Sequence, residues 1–144
     1  MPKSFKPKRR RGARGRGLKY EDEAQKTLLD RYDTYVDSPW FQYKESHESR
    51  FRWCQPDGLL ILPYEGIIVI MEIKVRHTSD AWWQLKHLYF PVVSHAFPPP
   101  LWKYAFCEVV RWHDPATSFP ESYTMCAEPA GLRPQELGVH ILKP

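Results

Sequence analysis

The stretch Ile67-Ile68-Val69-Ile70-Met71-Glu72-Ile73-Lys74-Val75 decides the reading of this chain. Apolar, largely β-branched side chains without polar alternation describe a strand covered on both faces, the core of a sheet lying between helices. Glu72 and Lys74 break the run near its end and share one face, because alternate strand residues point the same way. Charges that close an otherwise apolar strand are costly to bury unless they are paired or bound to a cation. Upstream, Pro63-Tyr64-Glu65-Gly66 separates this run from an apolar stretch ending at Leu62. A four-residue loop that pairs Leu62 with Ile67 sets Asp57 opposite Glu72 and Gln55 opposite Lys74. Two carboxylates and an ammonium are thereby predicted on one patch.

Outward from this hairpin, Leu18, Ala24, Leu28, Leu29, Tyr32 and Tyr35 recur at three- and four-residue steps, predicting a helix from Tyr20 to about Tyr35. Trp40 to Lys44 reads as a first strand and Arg50 to Leu62 as a second. After the central strand, Thr78 or Ser79 caps a helix that runs through Trp82, Leu85 and Tyr89 until Pro91 ends or kinks it. Trp102 to Trp112 is apolar and aromatic enough for a fourth strand, and Val139 to Leu142 for a short one. The expected order is αβββαβ, an α/β core over residues 20–112 with an irregular C-terminal extension, 113–144, packed on it. The tryptophans Trp82, Trp83, Trp102 and Trp112 are read as core filling, since their spacing follows the helix and strand they sit on.

The chain has 144 residues, of which 42% are hydrophobic and 26% charged, enough for one apolar core. Nine of its 21 basic residues fall in residues 1–19, which carry no acid; residues 20–144 hold the other 12 against 17 acids, a net of −5. This glycine-punctuated stretch has too few bulky apolar residues to offset the entropy of ordering, so 1–19 is expected to be a disordered arm. Lys8, Arg9, Arg10, Arg11, Arg14, Arg16 and Lys19 are its candidate phosphate contacts, with nucleic acid the expected partner. A solubilising tail, or contact with an acidic protein, is the other meaning of such a composition. No apolar run approaches the ~20 residues of a membrane span, and the start is too basic for a secretion signal, so a cytoplasmic protein is expected. Cys54, Cys107 and Cys126 are read as reduced thiols, and their spacing does not suggest structural zinc.

Asp57 and Glu72 offer hard oxygen ligands suited to Mg²⁺ or Mn²⁺, which take one or two carboxylates together with water and phosphate oxygens. Pro56-Asp57 followed by Glu72-Ile73-Lys74 resembles the signature of the PD-(D/E)xK nuclease superfamily, and the αβββαβ order resembles its core. The resemblance covers roughly Gly17 to Trp112 and implies a restriction-endonuclease-like core with a central mixed sheet flanked by helices. Within that superfamily the chain is most similar to small Holliday-junction resolvases of phage and archaea, whose first helix opens with a glycine followed shortly by a catalytic glutamate. Gly17-Leu18-Lys19-Tyr20-Glu21 fits that pattern and implies Glu21 as a further acid, with Glu23 as the reserve. Trp83-Gln84-Leu85 followed by Tyr89 resembles the helix glutamine motif of exonuclease-type members, although the tyrosine stands one residue late.

The resemblance implies a Mg²⁺-dependent DNA endonuclease acting on branched DNA, working as a homodimer, in a host cytoplasm if phage-encoded. Asp57, Glu72, the Ile73 carbonyl and Glu21 are implied as metal ligands, and Lys74 and Gln84 join them as catalytic residues. An exonuclease, a nicking or restriction-like nuclease of the same superfamily, and a non-catalytic nucleic-acid-binding module are the rival readings.

Overall fold

In the computed structural model the apolar run becomes a ten-residue strand, β5 (Ile67–Arg76), in the middle of a six-stranded mixed sheet. The structure describes residues 13–44, 47, 50–113 and 122–144. In chain order α1 (Ala13–Arg31), β1 (Tyr35–Asp37), β2 (Phe41–Tyr43), β3 (Arg52–Cys54) and β4 (Gly58–Leu62) precede β5. It is followed by α2 (Ser79–Trp83), a π-helical segment (Gln84–Tyr89), α3 (Phe90–Ala96), β6 (Lys103–Trp112), β7 (Thr124–Met125), a 3₁₀ turn (Pro129–Gly131) and β8 (Leu137–Ile141). The sheet order is β1-β4-β5-β6-β8-β7, and β2 with β3 forms a separate two-stranded ribbon.

The hairpin keeps the predicted register: Leu62 pairs with Ile67 and Gly58 with Met71. Gly66 takes a φ of 67°, a conformation that glycine adopts without a Cβ penalty, and closes the loop. β6 lies parallel to β5, reached through the α2–α3 crossover that a parallel pair requires. Alternation then divides the core. Val69, Met71 and Ile73 pack with Ala105, Cys107 and Val109 under Tyr20, Ala24 and Leu28 of α1. Ile68, Ile70, Tyr104 and Phe106 pack on the other face under Trp82, Leu85, Tyr89 and Val93. The result is a mixed α/β fold, a central mixed sheet flanked by helices.

Several boundaries differ from the sequence reading. The helix begins at Ala13, so residues 13–19, expected within a disordered arm, are helical, while Tyr35 leaves the helix for β1, where it pairs with Leu60. The single strand expected over Arg50–Leu62 is two: Pro56 lacks the N–H that a ladder needs, so β3 pairs with β2 and a fresh strand starts at Gly58. Gln55 therefore does not face Lys74; its Nε2 donates to the Ser38 carbonyl at 2.9 Å. Nor does Pro91 end the second helix. The π-helical turn just before it widens the backbone, and helix continues to Ala96. Among the described residues of the C-terminal extension, the short strand expected near Val139 forms as β8 beside β6, and β7 adds the outer edge. Trp83 and Trp112 are 55% and 43% exposed rather than core, because each lies on the outward side of its element.

Candidate active site

β5 outruns β4. The β4–β5 ladder stops at Gly58–Met71, while β5 continues to Arg76, so the backbone beyond Met71 faces a gap on that side. Asp57, on the bend before β4, fills it with its side chain: Oδ2 accepts the Ile73 N–H at 2.7 Å. The N–H and C=O of one strand residue point to the same side, so the Ile73 carbonyl is directed toward the same gap. Asp57 thus meets β5 through a bend, one residue beyond the ladder that was expected to carry it.

The bend is itself held. Gln25, a buried side chain on α1, donates to the Asp57 carbonyl at 2.7 Å, and the Ser38 N–H donates to it at 2.9 Å. Tyr35 donates its hydroxyl to Gln25 Oε1. Gly58 makes this possible, since a Cβ there would overlap the Tyr35 ring. Gln25 and Tyr35 were not singled out from the sequence; a glutamine on the apolar side of α1, one turn after Glu21, was the available signal.

Around this bend Glu21, Asp57 and Glu72 converge. Glu72 is 4% exposed; its Oε1 lies 3.2 Å from Lys74 Nζ, and its Oε2 is buried without a hydrogen-bond partner among the described residues. Burial pushes the Glu72 carboxyl up, and Lys74 pulls it back down. Burial, the Glu72 charge and the Glu21 charge all hold Asp57 well above the usual carboxylate range, against the stabilising Ile73 N–H. Glu21 is raised chiefly by burial, against the opposing effect of its hydrogen bond with Asp57. Glu23, the reserve, sits apart, lining a small cavity with Lys19, Tyr20 and Arg111. Tyr89 presents its hydroxyl to Glu72 from the π-helical segment; burial and the charges of Glu72 and Asp57 push it upward. Gln84 opens that segment, and its buried Oε1 has no partner among the described residues, so no hydrogen bond from that atom joins it to the carboxylates.

A second acid escaped the sequence reading. Glu108 stands beside Glu72 in the β5–β6 register, is fully buried, accepts the Thr78 N–H at 3.1 Å and lies 3.2 Å from His77 Nδ1. Burial pushes it up to about 8, opposed by the Thr78 N–H and Lys74. It interrupts an apolar strand as Glu72 does, and that interruption was its signal.

Among the described residues no three histidine, cysteine, aspartate or glutamate side chains are arranged to hold a metal ion. The donor set nevertheless fits a hard divalent cation in two respects: the partnerless buried Oε2 of Glu72, and the upward pressure on three carboxyls that a cation would relieve. Of the basic residues expected to meet phosphate, Arg14 and Arg16 fall on α1 and Lys19 is exposed there, whereas Lys8, Arg9, Arg10 and Arg11 lie outside the described residues. Cys54, Cys107 and Cys126 are free thiols. No helix among the described residues is long and apolar enough to cross a membrane. No family model, curated protein or solved structure matches the chain.

Proposed function

We propose that the chain is a Mg²⁺- or Mn²⁺-dependent DNA endonuclease with a restriction-endonuclease-like core, acting on branched DNA as a homodimer in the manner of a Holliday-junction resolvase. The observation that carries this reading is the meeting of Glu21, Asp57, Glu72 and Lys74 where β5 runs past β4, with Glu72 Oε2 lacking a hydrogen-bond partner among the described residues. Asp57, Glu72, the Ile73 carbonyl and Glu21 would hold the cation, which supplies Lewis-acid polarisation of the scissile phosphate and acidifies a ligated water. The chain's own groups do the rest. Lys74 orients the attacking water and offsets charge developing on the phosphorane, while Asp57, fixed by Ile73, Gln25 and Ser38, keeps the donors in place. Glu21, beside Asp57, helps to orient the attacking water. The basic N-terminal residues supply affinity for phosphates.

The test is cleavage of a labelled four-way junction in Mg²⁺ by wild type, Asp57→Asn and Lys74→Ala, with EDTA as the control. Symmetric cuts by wild type, lost in EDTA and in both variants while junction affinity persists, are expected. Tight binding without cleavage in Mg²⁺ or Mn²⁺ would instead make the chain a binding module, and equal cutting of linear, nicked and single-stranded DNA would remove the junction preference.

A further inference from the structure

The π-helical segment that turns Tyr89 toward Glu72 also forms, with His87 and Leu88, one wall of a cleft of about 570 Å³. The facing wall is the β2–β3 ribbon, contributing Phe41, Tyr43, Lys44 and the preceding Phe51, and α3 closes the end with His95. The volume falls in the range of sites that hold a small organic ring system. Behind the cleft, Cys54 Sγ lies 4.0 Å from the Leu88 carbonyl, and burial, then the Glu72 charge, push its thiol up.

The chemistry of the lining is selective. Three aromatic side chains floor it, and Phe51 is 54% exposed, an area of ring left in water. Lys44 Nζ stands 5.6 Å from the Phe51 ring centre. Trp83, just outside and 55% exposed, lies 5.6 Å from the His87 ring at an interplanar angle of 35°. Among the described residues no carboxylate lines the cleft. Aromatic faces beside the Lys44 ammonium and two imidazoles complement a planar ring attached to an anion. In a duplex the faces of the bases are covered by their neighbours, so only an unpaired strand offers a base face to such a floor.

We propose that this cleft seats an unpaired nucleotide of the substrate, its base against Phe41, Tyr43 and Phe51 and its phosphate at Lys44. This rests on the nuclease reading and adds a substrate feature to it, a single-stranded element beside the cut. The full chain in EDTA, so that nothing is cleaved, is titrated by fluorescence anisotropy against labelled oligothymidine and against a blunt duplex of equal phosphate number. Phe51→Ala is expected to weaken oligothymidine binding about tenfold, within the cost of losing one stacked base, with duplex affinity changed less than twofold. Phe51→Tyr should restore it, which excludes a folding defect. Lys44→Ala should lower oligothymidine affinity and flatten its salt dependence. An unchanged affinity in Phe51→Ala, or equal loss on both ligands, overturns the inference and leaves the nuclease reading standing. So does an apolar fluorescent probe that enters the cleft and is not displaced by oligothymidine. Failure of wild type to bind either nucleic acid overturns both.

Discussion

Replacing Lys74 by methionine tests the electrostatics of the carboxylate cluster without any substrate. Lys74 Nζ is 3.2 Å from Glu72 Oε1, with side chains 32% and 5% exposed. Coulomb's law at an effective permittivity of 20 gives about 5 kcal/mol of attraction at that distance. Solvent around the one-third-exposed ammonium and the entropy of fixing a long side chain reduce it to about 1–3 kcal/mol. Burial already lifts Glu72 above its ordinary value and Lys74 pulls it down. The pair's contribution is therefore present only above the folded-state value of Glu72, which lies above 4.5, and disappears as pH falls through it. In EDTA, Lys74→Met should cost about 1–3 kcal/mol at pH 8, a melting point lowered by about 3–10 °C, and markedly less at pH 4, below the Glu72 value. Adding Glu72→Gln should recover most of the loss at pH 8, because a neutral amide replaces the stranded charge. Circular dichroism melts of wild type, Lys74→Met and the double variant at both pH values measure this. An equal loss at pH 4 and pH 8, or a further loss on adding Glu72→Gln, would refute the reasoning.

Asp57→Asn keeps an oxygen to accept the Ile73 N–H but removes a charge, so Mg²⁺-dependent cleavage should fall by at least about 10³-fold with junction affinity nearly unchanged, read by single-turnover kinetics and anisotropy. Gly58→Ala forces the Tyr35 ring away from Gln25 and should cost about 1–3 kcal/mol; Tyr35→Leu in the same chain should regain part of it in thermal melts. Removing residues 1–12, which hold six basic side chains and stop short of α1, should reduce the slope of log affinity against log salt by up to about 5; an unchanged slope would exclude their contact with phosphate.

The central strand and its hairpin were legible because a wholly apolar run, a four-residue loop and a matching apolar stretch leave one register that buries both faces. The convergence of Asp57, Glu72 and Lys74 followed from that register, although Asp57 arrives through a bend. What could not be read is tertiary. Nothing local tells that Tyr35 prefers pairing with Leu60 to a last helical turn. Nor does local sequence tell that a π-helical turn will carry the chain through Pro91, since that turn is selected by packing of Leu85 and Tyr89 on the sheet. β8 was short and isolated in sequence, and becomes a central element only because β6 offers it an unpaired edge. Glu21 came from a family likeness, and its hydrogen bond with Asp57 is what distinguishes it from Glu23.

One residue organises both sites. Pro56 cannot donate to a ladder, so the strand that would have continued from β3 into β4 is broken there, and β3 swings away to pair with β2. The break leaves the β4 side of the β5 backbone beyond Met71 without a strand partner, and that gap is where Asp57 reaches Ile73 and the acids gather. The swing carries Phe41, Tyr43 and Lys44 out over the π-helical segment, and that is where the aromatic cleft opens. A continuous strand would have satisfied Ile73 with a backbone carbonyl and closed the cleft with the same stroke. The carboxylates and the cleft are therefore two results of one interrupted hydrogen-bond ladder, and restoring the ladder should abolish both together.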